Sequence, residues 1–152
     1  MQMTDHHCSE IPPGDENLVV PRIVVGNAAM DGAGDTRGWF IGHFVLPSES
    51  PRHTNDVEVK WGIHPAGHAR ARMATATEAT TLVILISGLY RVRFPHGDVL
   101  LSGPSDYVLF PPGVPHGAVA DEDSVILTVR WPSKLGDAVE HDDDGSWQAG
   151  GI

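Results

Sequence analysis

Eight or nine short runs rich in β-branched and aromatic residues, separated by turns built on Gly or Pro, leave this chain few folds to adopt. The runs are LVVPRIVV, WFIGHFVL, VEVKWGIH, ARARMATAT, TTLVILIS, LYRVRF, DVLL, YVLF and VILTVRW, with HPAG, FPHGD and FPPGVP among the separators. Such side chains suit the pleated, half-buried surface of a strand, and Gly and Pro punctuate it. No long stretch carries the 3.6-residue period of an amphipathic helix. Evenly spaced short strands predict an all-β domain, a sandwich or a barrel, and counting strands does not separate the two. At 152 residues, 41% hydrophobic and 20% charged, the chain has the size and composition of one globular domain with a real core.

The formal net charge of −10 argues against nucleic acid and anionic membrane surfaces as partners, because phosphate binding needs clustered Lys and Arg. Much of that acidity sits in Asp121, Glu122, Asp123 and Asp142 to Asp144, where it is solvated, so the interior is still able to attract an anion. A lone cysteine, Cys8, allows no intrachain disulfide; with no basic leader and no membrane-length apolar run, a cytoplasmic location is expected. Residues 1–17 read as a flexible N-terminal arm, 18–133 as the strand-rich body, and 134–152 as an acidic tail with room for a short helix over 135–140.

Within GPSDYVLFPPGVPH, residues 103–116, Pro111 and Gly113 set a sharp turn two residues before Pro115 and His116. This spacing resembles the second motif of the cupin superfamily, which reads Pro, any residue, Gly, two residues, His, with a further Gly upstream near the place of Gly103. The resemblance covers roughly 57–131 and is similar to small bacterial single-domain cupins with a degenerate first motif. It implies a small cupin-type (jelly-roll) β-barrel in a single domain, a homodimer, and a His116 that faces the barrel interior. In the first motif Gly88 stands as the closing glycine; counting back puts Thr81 at the glutamate position and Thr75 and Thr77, or Ala74 and Ala76, at the two histidine positions. Neutral hydroxyls and methyls are poor ligands for divalent metals, so three of the four family ligands are missing and no metal or other cofactor is expected.

The remaining candidates come from strand alternation. Along VEVKWGIH, Glu58, Lys60, Gly62 and His64 share one face and Val57, Val59, Trp61 and Ile63 the other. If the polar face turns inward, Lys60 and His64 meet His116 in the cavity; if it turns outward, they are solvated. Arg130 shares a face with Ile126 and Thr128, placing it to clamp a carboxylate or to pair with Glu58. Thr75, Thr77 and Thr81 offer hydroxyls to orient a polar ligand. His116 is the candidate catalytic residue, since a neutral imidazole accepts or donates a proton near pH 7.

Two functions follow. In the first, the barrel binds a small polar or anionic metabolite without the usual metal set, with acid–base chemistry open to His116. The alternative is a metal-dependent cupin enzyme, a dioxygenase or isomerase, whose ligands are rebuilt from His43, His64, His68 and His116.

Overall fold

The computed structural model describes residues 22–70 and 72–141. The expected arm over 1–17, with Cys8, and the tail beyond His141, with Trp147, lie outside the described residues. In chain order the elements are α1 (Ala28–Asp31), β1 (Trp39–Ile41), β2 (Glu58–His64), β3 (Ala74–Ala76), β4 (Thr80–Ser87) and β5 (Tyr90–Phe94). They continue as β6 (Gly97–Leu101), β7 (Tyr107–Phe110), β8 (Gly117–Ala120), β9 (Ser124–Trp131) and β10 (Ala138–Glu140). None of the described helices is long and apolar enough to cross a membrane.

A five-stranded antiparallel sheet has the order β1-β2-β9-β4-β7, and it faces a three-stranded sheet β6-β5-β8 and a two-stranded sheet β10-β3. Backbone bonds between Ala74 and His116, both 2.9 Å, and from Arg70 N–H to Ala118 O, 3.0 Å, tie β3 and the chain before it to β8. The smaller sheets thereby run on as one wall, and the two walls form the jelly roll expected from the sequence. In the interior, Leu85, Tyr90, Val92, Leu101, Phe110 and Ile126 pack as one core. These apolar side chains leave water where both walls contribute inward positions, which is the main stabilising force of such a domain.

Two expectations are corrected. Of the run LVVPRIVV the described part, 22–25, forms no strand, and the chain after it makes one helical turn capped by Asn27, whose side chain accepts from Met30 N–H at 3.1 Å. Among the described residues the first strand is β1, at Trp39. At the other end, residues expected as tail supply a strand, because β10 pairs with β3 through Ala138, Val139 and Glu140. Just before it, Asp137 is buried and accepts from the Thr77 hydroxyl (2.7 Å), Glu78 N–H (2.7 Å) and Ala79 N–H (3.1 Å), pinning this segment to the barrel.

Gly88 turns the chain between β4 and β5 at φ +103°, where a Cβ would collide with Asp123 O and Ser124 Oγ. Gly113, at φ +82°, shapes the turn that leads to His116 and donates its N–H to Ala76 O at 2.8 Å.

Candidate functional site

Against the core, with Val83, Tyr90, Val92 and Ile126 belonging to both, the barrel holds a cavity of about 700 Å³, a size typical of small-molecule sites. Its walls are inward positions of β2, β4, β5 and β9 with the start of β8, and their register sets the chemistry. Glu58 pairs with Arg130, Lys60 with Thr128, Gly62 with Ile126 and His64 with Ser124; on the other side of β9, Thr81 pairs with Arg130 and Val83 with Thr128. Same-face positions repeat every two residues, so the inner face of β9 grades from Ile126 through Thr128 to Arg130. The polar face of VEVKWGIH therefore points inward, and Lys60, His64, Thr81, His116 and Arg130 meet in one space.

Arg130 is held from two sides. Its Nη1 donates to Glu58 Oε1 at 3.4 Å, and its guanidinium carbon lies 4.6 Å from the centre of the Trp39 ring. Glu58 is fixed in turn by the Ser133 hydroxyl, which donates to Oε2 at 3.0 Å. Ser133 Oγ then accepts from His43 N–H at 3.0 Å and lies 2.7 Å from His43 Nδ1. His43 thus supports the site from outside, and it does not line the cavity. The Glu58 pair and the cavity position, posed as alternatives for Arg130, are both present.

His116 is 8% exposed, packs on the Phe110 ring at 4.6 Å and lies with Nδ1 3.1 Å from Val114 O. A carbonyl only accepts, so Nδ1 carries the proton of the neutral ring and Nε2 keeps a lone pair. Burial first, with Arg130 and Arg70 adding repulsion, lowers its pKa to about 4 against the Val114 bond that raises it. His64 falls to about 4 through burial, then Lys60 and His68. Both imidazoles are neutral at pH 7. His64 stacks on His68 at the rim, their Nδ1 atoms 3.1 Å apart, and it finds room because Gly62 has no side chain: a Cβ there would sit 2.7 Å from His64 Nε2.

Among the described residues, four buried side-chain polar atoms have no hydrogen-bond partner, and three line this cavity: His64 Nε2, Thr81 Oγ1 and Arg130 Nε. The fourth, Asp98 Oδ1, has Arg93 Nε at 3.6 Å. Orphaned buried donors and acceptors are costly, and three of the four gather in this one place. The charge there is positive: Lys60, Arg130, Arg37 and Arg70 line it, and Glu140, the carboxylate in the lining, pairs with Arg70 at 3.4 Å.

The two other threonines stand elsewhere. On β3, Ala74 and Ala76 take the buried inward positions; the Thr75 hydroxyl meets His141 Nε2 at 2.5 Å and the Thr77 hydroxyl bonds Asp137. A ligand role for Thr75 and Thr77 fails because the segment 137–141 covers that side. Glu78 likewise serves an exposed pair with Lys134 at 2.6 Å. Sequence reasoning missed Tyr90, Arg70 and Trp39. Tyr90 was readable, since YRVRF alternates with Tyr90 and Val92 on the buried face; Arg70 lies in ARARMATAT, which reads as a strand run, but the structure makes no strand at that residue.

The metal that cupins commonly hold does not fit these residues. Among the described residues no group of three or more His, Cys, Asp or Glu is arranged to hold a metal ion. His64 and His68 direct their Nδ1 atoms at each other, and three guanidinium groups and an amine raise the cost of a further cation.

No protein-family model matches the chain, and no curated protein matches it. Solved structures do. An uncharacterized conserved protein with a double-stranded β-helix domain from Klebsiella pneumoniae superposes with a TM-score of 0.52 at 22% identity, over 59% of this chain and 77% of that one. KdgF from Halomonas sp. gives 0.48 at 25% identity, over 55% and 74%. A cupin 2 conserved barrel domain protein from Salinispora arenicola gives 0.46 at 20%, over 54% and 68%. The fold of this chain is the double-stranded β-helix, the jelly-roll barrel that the cupin resemblance of the sequence implies.

Proposed function

We propose that this cupin-fold barrel binds a small carboxylate-bearing metabolite without a metal, in a cavity whose cations take the carboxylate and whose neutral imidazoles take the rest of the ligand. The observation that carries this reading is the buried Arg130 Nε without a partner beside the unpartnered Thr81 hydroxyl. A carboxylate satisfies the guanidinium with a charge-assisted bond, and in a partly desolvated site such bonds are about twice as strong as neutral ones. Lys60 and Arg70 add attraction that the acidic exterior does not supply. His116 Nε2 is positioned to accept a proton or hydrogen bond from the ligand; with its pKa near 4 it is a weak base at neutral pH, so binding is the primary activity and acid–base chemistry the secondary one.

Calorimetric titration with mono-, di- and hydroxycarboxylates and inorganic phosphate tests the reading. A carboxylate is expected to bind, more weakly at higher salt, with affinity reduced roughly 10- to 100-fold in Arg130→Gln. If no carboxylate binds, or Arg130→Gln binds as well as wild type, the reading fails. Elemental analysis of untagged protein separates the metal-dependent alternative: less than about a tenth of a metal per chain is expected, and a stoichiometric metal lost in His116→Ala overturns the metal-free site.

A homodimer belongs to the same proposal. The outer face of β2, β9, β4 and β7 carries Trp61, Ile63, Leu127, Ile84, Tyr107 and Leu109, and Ile63 (63%), Tyr107 (65%) and Leu109 (52%) are well exposed. An uncharged apolar face on a strongly acidic protein supports pairing with a second copy there, which sedimentation of Leu109→Lys against wild type would test.

A further inference from the structure

We propose that Lys60 is a nucleophile, and that the ligand of the cavity is a 2-oxo acid whose carbonyl carbon Lys60 attacks to form an imine. This rests on the carboxylate-binding reading above and narrows it to one substrate class.

The chain has two lysines, Lys60 and Lys134, and they are built in opposite ways. Lys134 is exposed and donates to Glu78 Oε1 at 2.6 Å, a hydrogen bond that raises its pKa and holds it as an ammonium ion. Lys60 lines the cavity and, among the described residues, has no carboxylate within ion-pair distance. Glu58, two residues earlier on the same face, is committed to Arg130 and Ser133. What Lys60 meets instead is the Trp39 ring, 5.8 Å from its Nζ, and the positive charges of Arg70, Arg130 and Arg37.

A lysine kept only for its charge is served poorly by such surroundings. Burial first, then those three guanidinium groups, lowers its pKa from 10.5 to about 8. Roughly a tenth of it is then free amine at pH 7, against well under a thousandth for an ordinary lysine. Desolvation beside other cations is a recognised way to make a lysine nucleophilic.

The same groups select the substrate. Lys60 is opposite Thr128 and Glu58 opposite Arg130, so Lys60 and Arg130 are diagonal neighbours on the inner face, within mutual reach as long side chains. A 2-oxo acid carries carboxylate and carbonyl on adjacent carbons, so seating the carboxylate on Arg130 brings the carbonyl to Lys60. The free amine forms the N–C bond as the carbonyl π pair moves to oxygen, and one nitrogen proton passes to that oxygen to give the carbinolamine. Loss of the hydroxyl as water, with loss of the second nitrogen proton, leaves a neutral C=N bond. The balance is amine plus carbonyl to imine plus one water, with no oxidant or reductant. His116 Nε2 accepts a proton in this space, and the Tyr90 hydroxyl, whose pKa burial pushes up to about 12 against the opposing pull of Arg70, remains able to donate one.

The test is reductive trapping on the intact protein. Wild type, Lys60→Met and Lys60→Arg are incubated near pH 7.5 with pyruvate or 2-oxoglutarate, reduced with borohydride, and examined by intact mass and peptide mapping, with Lys134 as the reference amine in the same chain. Lactate and 2-hydroxyglutarate, which lack the carbonyl, are titrated in parallel. The proposal expects an adduct on Lys60 at least about tenfold above Lys134, suppressed by the hydroxy acid and absent from both variants. Hydroxy acid binding without selective labelling of Lys60 overturns the nucleophile and leaves the carboxylate site standing. If neither oxo acid nor hydroxy acid binds, both fall. Should a variant fail to fold, the ratio of Lys60 to Lys134 labelling in wild type decides alone.

Discussion

Two polar clusters lie inside this barrel, and they are finished to different degrees. Around Asp137 every carboxylate oxygen has a donor: Thr77 and Glu78 on one, Ala79 on the other. Around Arg130, among the described residues, three buried polar atoms are left without partners and Lys60 has no carboxylate within ion-pair distance. A saturated buried group stabilises the fold; an unsaturated one costs stability and persists where something else completes it. The Asp137 cluster is therefore read as structural and the Arg130 cluster as the proposed binding site, although both are buried and both are charged.

The largest effect that tests this contrast is expected at Asp137. Its pKa is held down by the hydrogen bonds from Thr77, Glu78 and Ala79, which outweigh the burial that would raise it. Asp137→Ala strands those donors and should cost about 3 kcal/mol in urea unfolding while leaving carboxylate affinity within about twofold. A loss below about 1 kcal/mol would break the comparison from the structural side.

Next comes Lys60, with the opposite sign. The folded amine releases its proton near 8 and the unfolded one near 10.5, so between those values the unfolded state holds more protons and wild-type stability rises with pH. Across that window the rise should be on the order of 2 kcal/mol relative to Lys60→Met, which has no such group, and below pH 8 the variant should be the more stable protein. Urea midpoints between pH 7 and 10.5 measure it. A flat difference between the two proteins would mean that Lys60 is not opposed by its surroundings.

The smallest effect concerns shape. Gly62→Ala pushes a methyl onto His64 Nε2 and Ile126 Cγ1, at 2.7 and 2.8 Å, so the ring must shift. About 1 kcal/mol of stability and a few-fold in ligand affinity should be lost together. Unchanged affinity would remove His64 from the site.

Much of the site was legible from alternation. Lys60, His64, Thr81 and Arg130 all lie on strands whose period of two is preserved across the ladder, so one correct assignment of inward and outward places the rest. His116 was legible from the turn before it, which Gly113 makes by adopting a positive φ. Thr75 and Thr77 were misplaced because their partner strand, β10, lies in a Gly- and Asp-rich stretch that reads as tail. Its pairing is a contact 62 or more residues away in sequence, and three backbone pairs plus one buried carboxylate hold it without any apolar pattern. Arg70 reached the cavity rim by a similar route, along a segment bonded to β8 outside any strand.

By itself the sequence determined the fold class, the turn ahead of His116 and the division of each main strand into a polar and an apolar face, because these depend on local conformational preference and on a period of two. Tertiary structure alone decided which face looks inward, which lysine has a carboxylate beside it and which buried atoms lack partners. Those outcomes depend on the register between strands far apart along the chain, and it is this register that gives Glu58 to Arg130 and leaves Lys60 beside them, among the described residues, without a carboxylate.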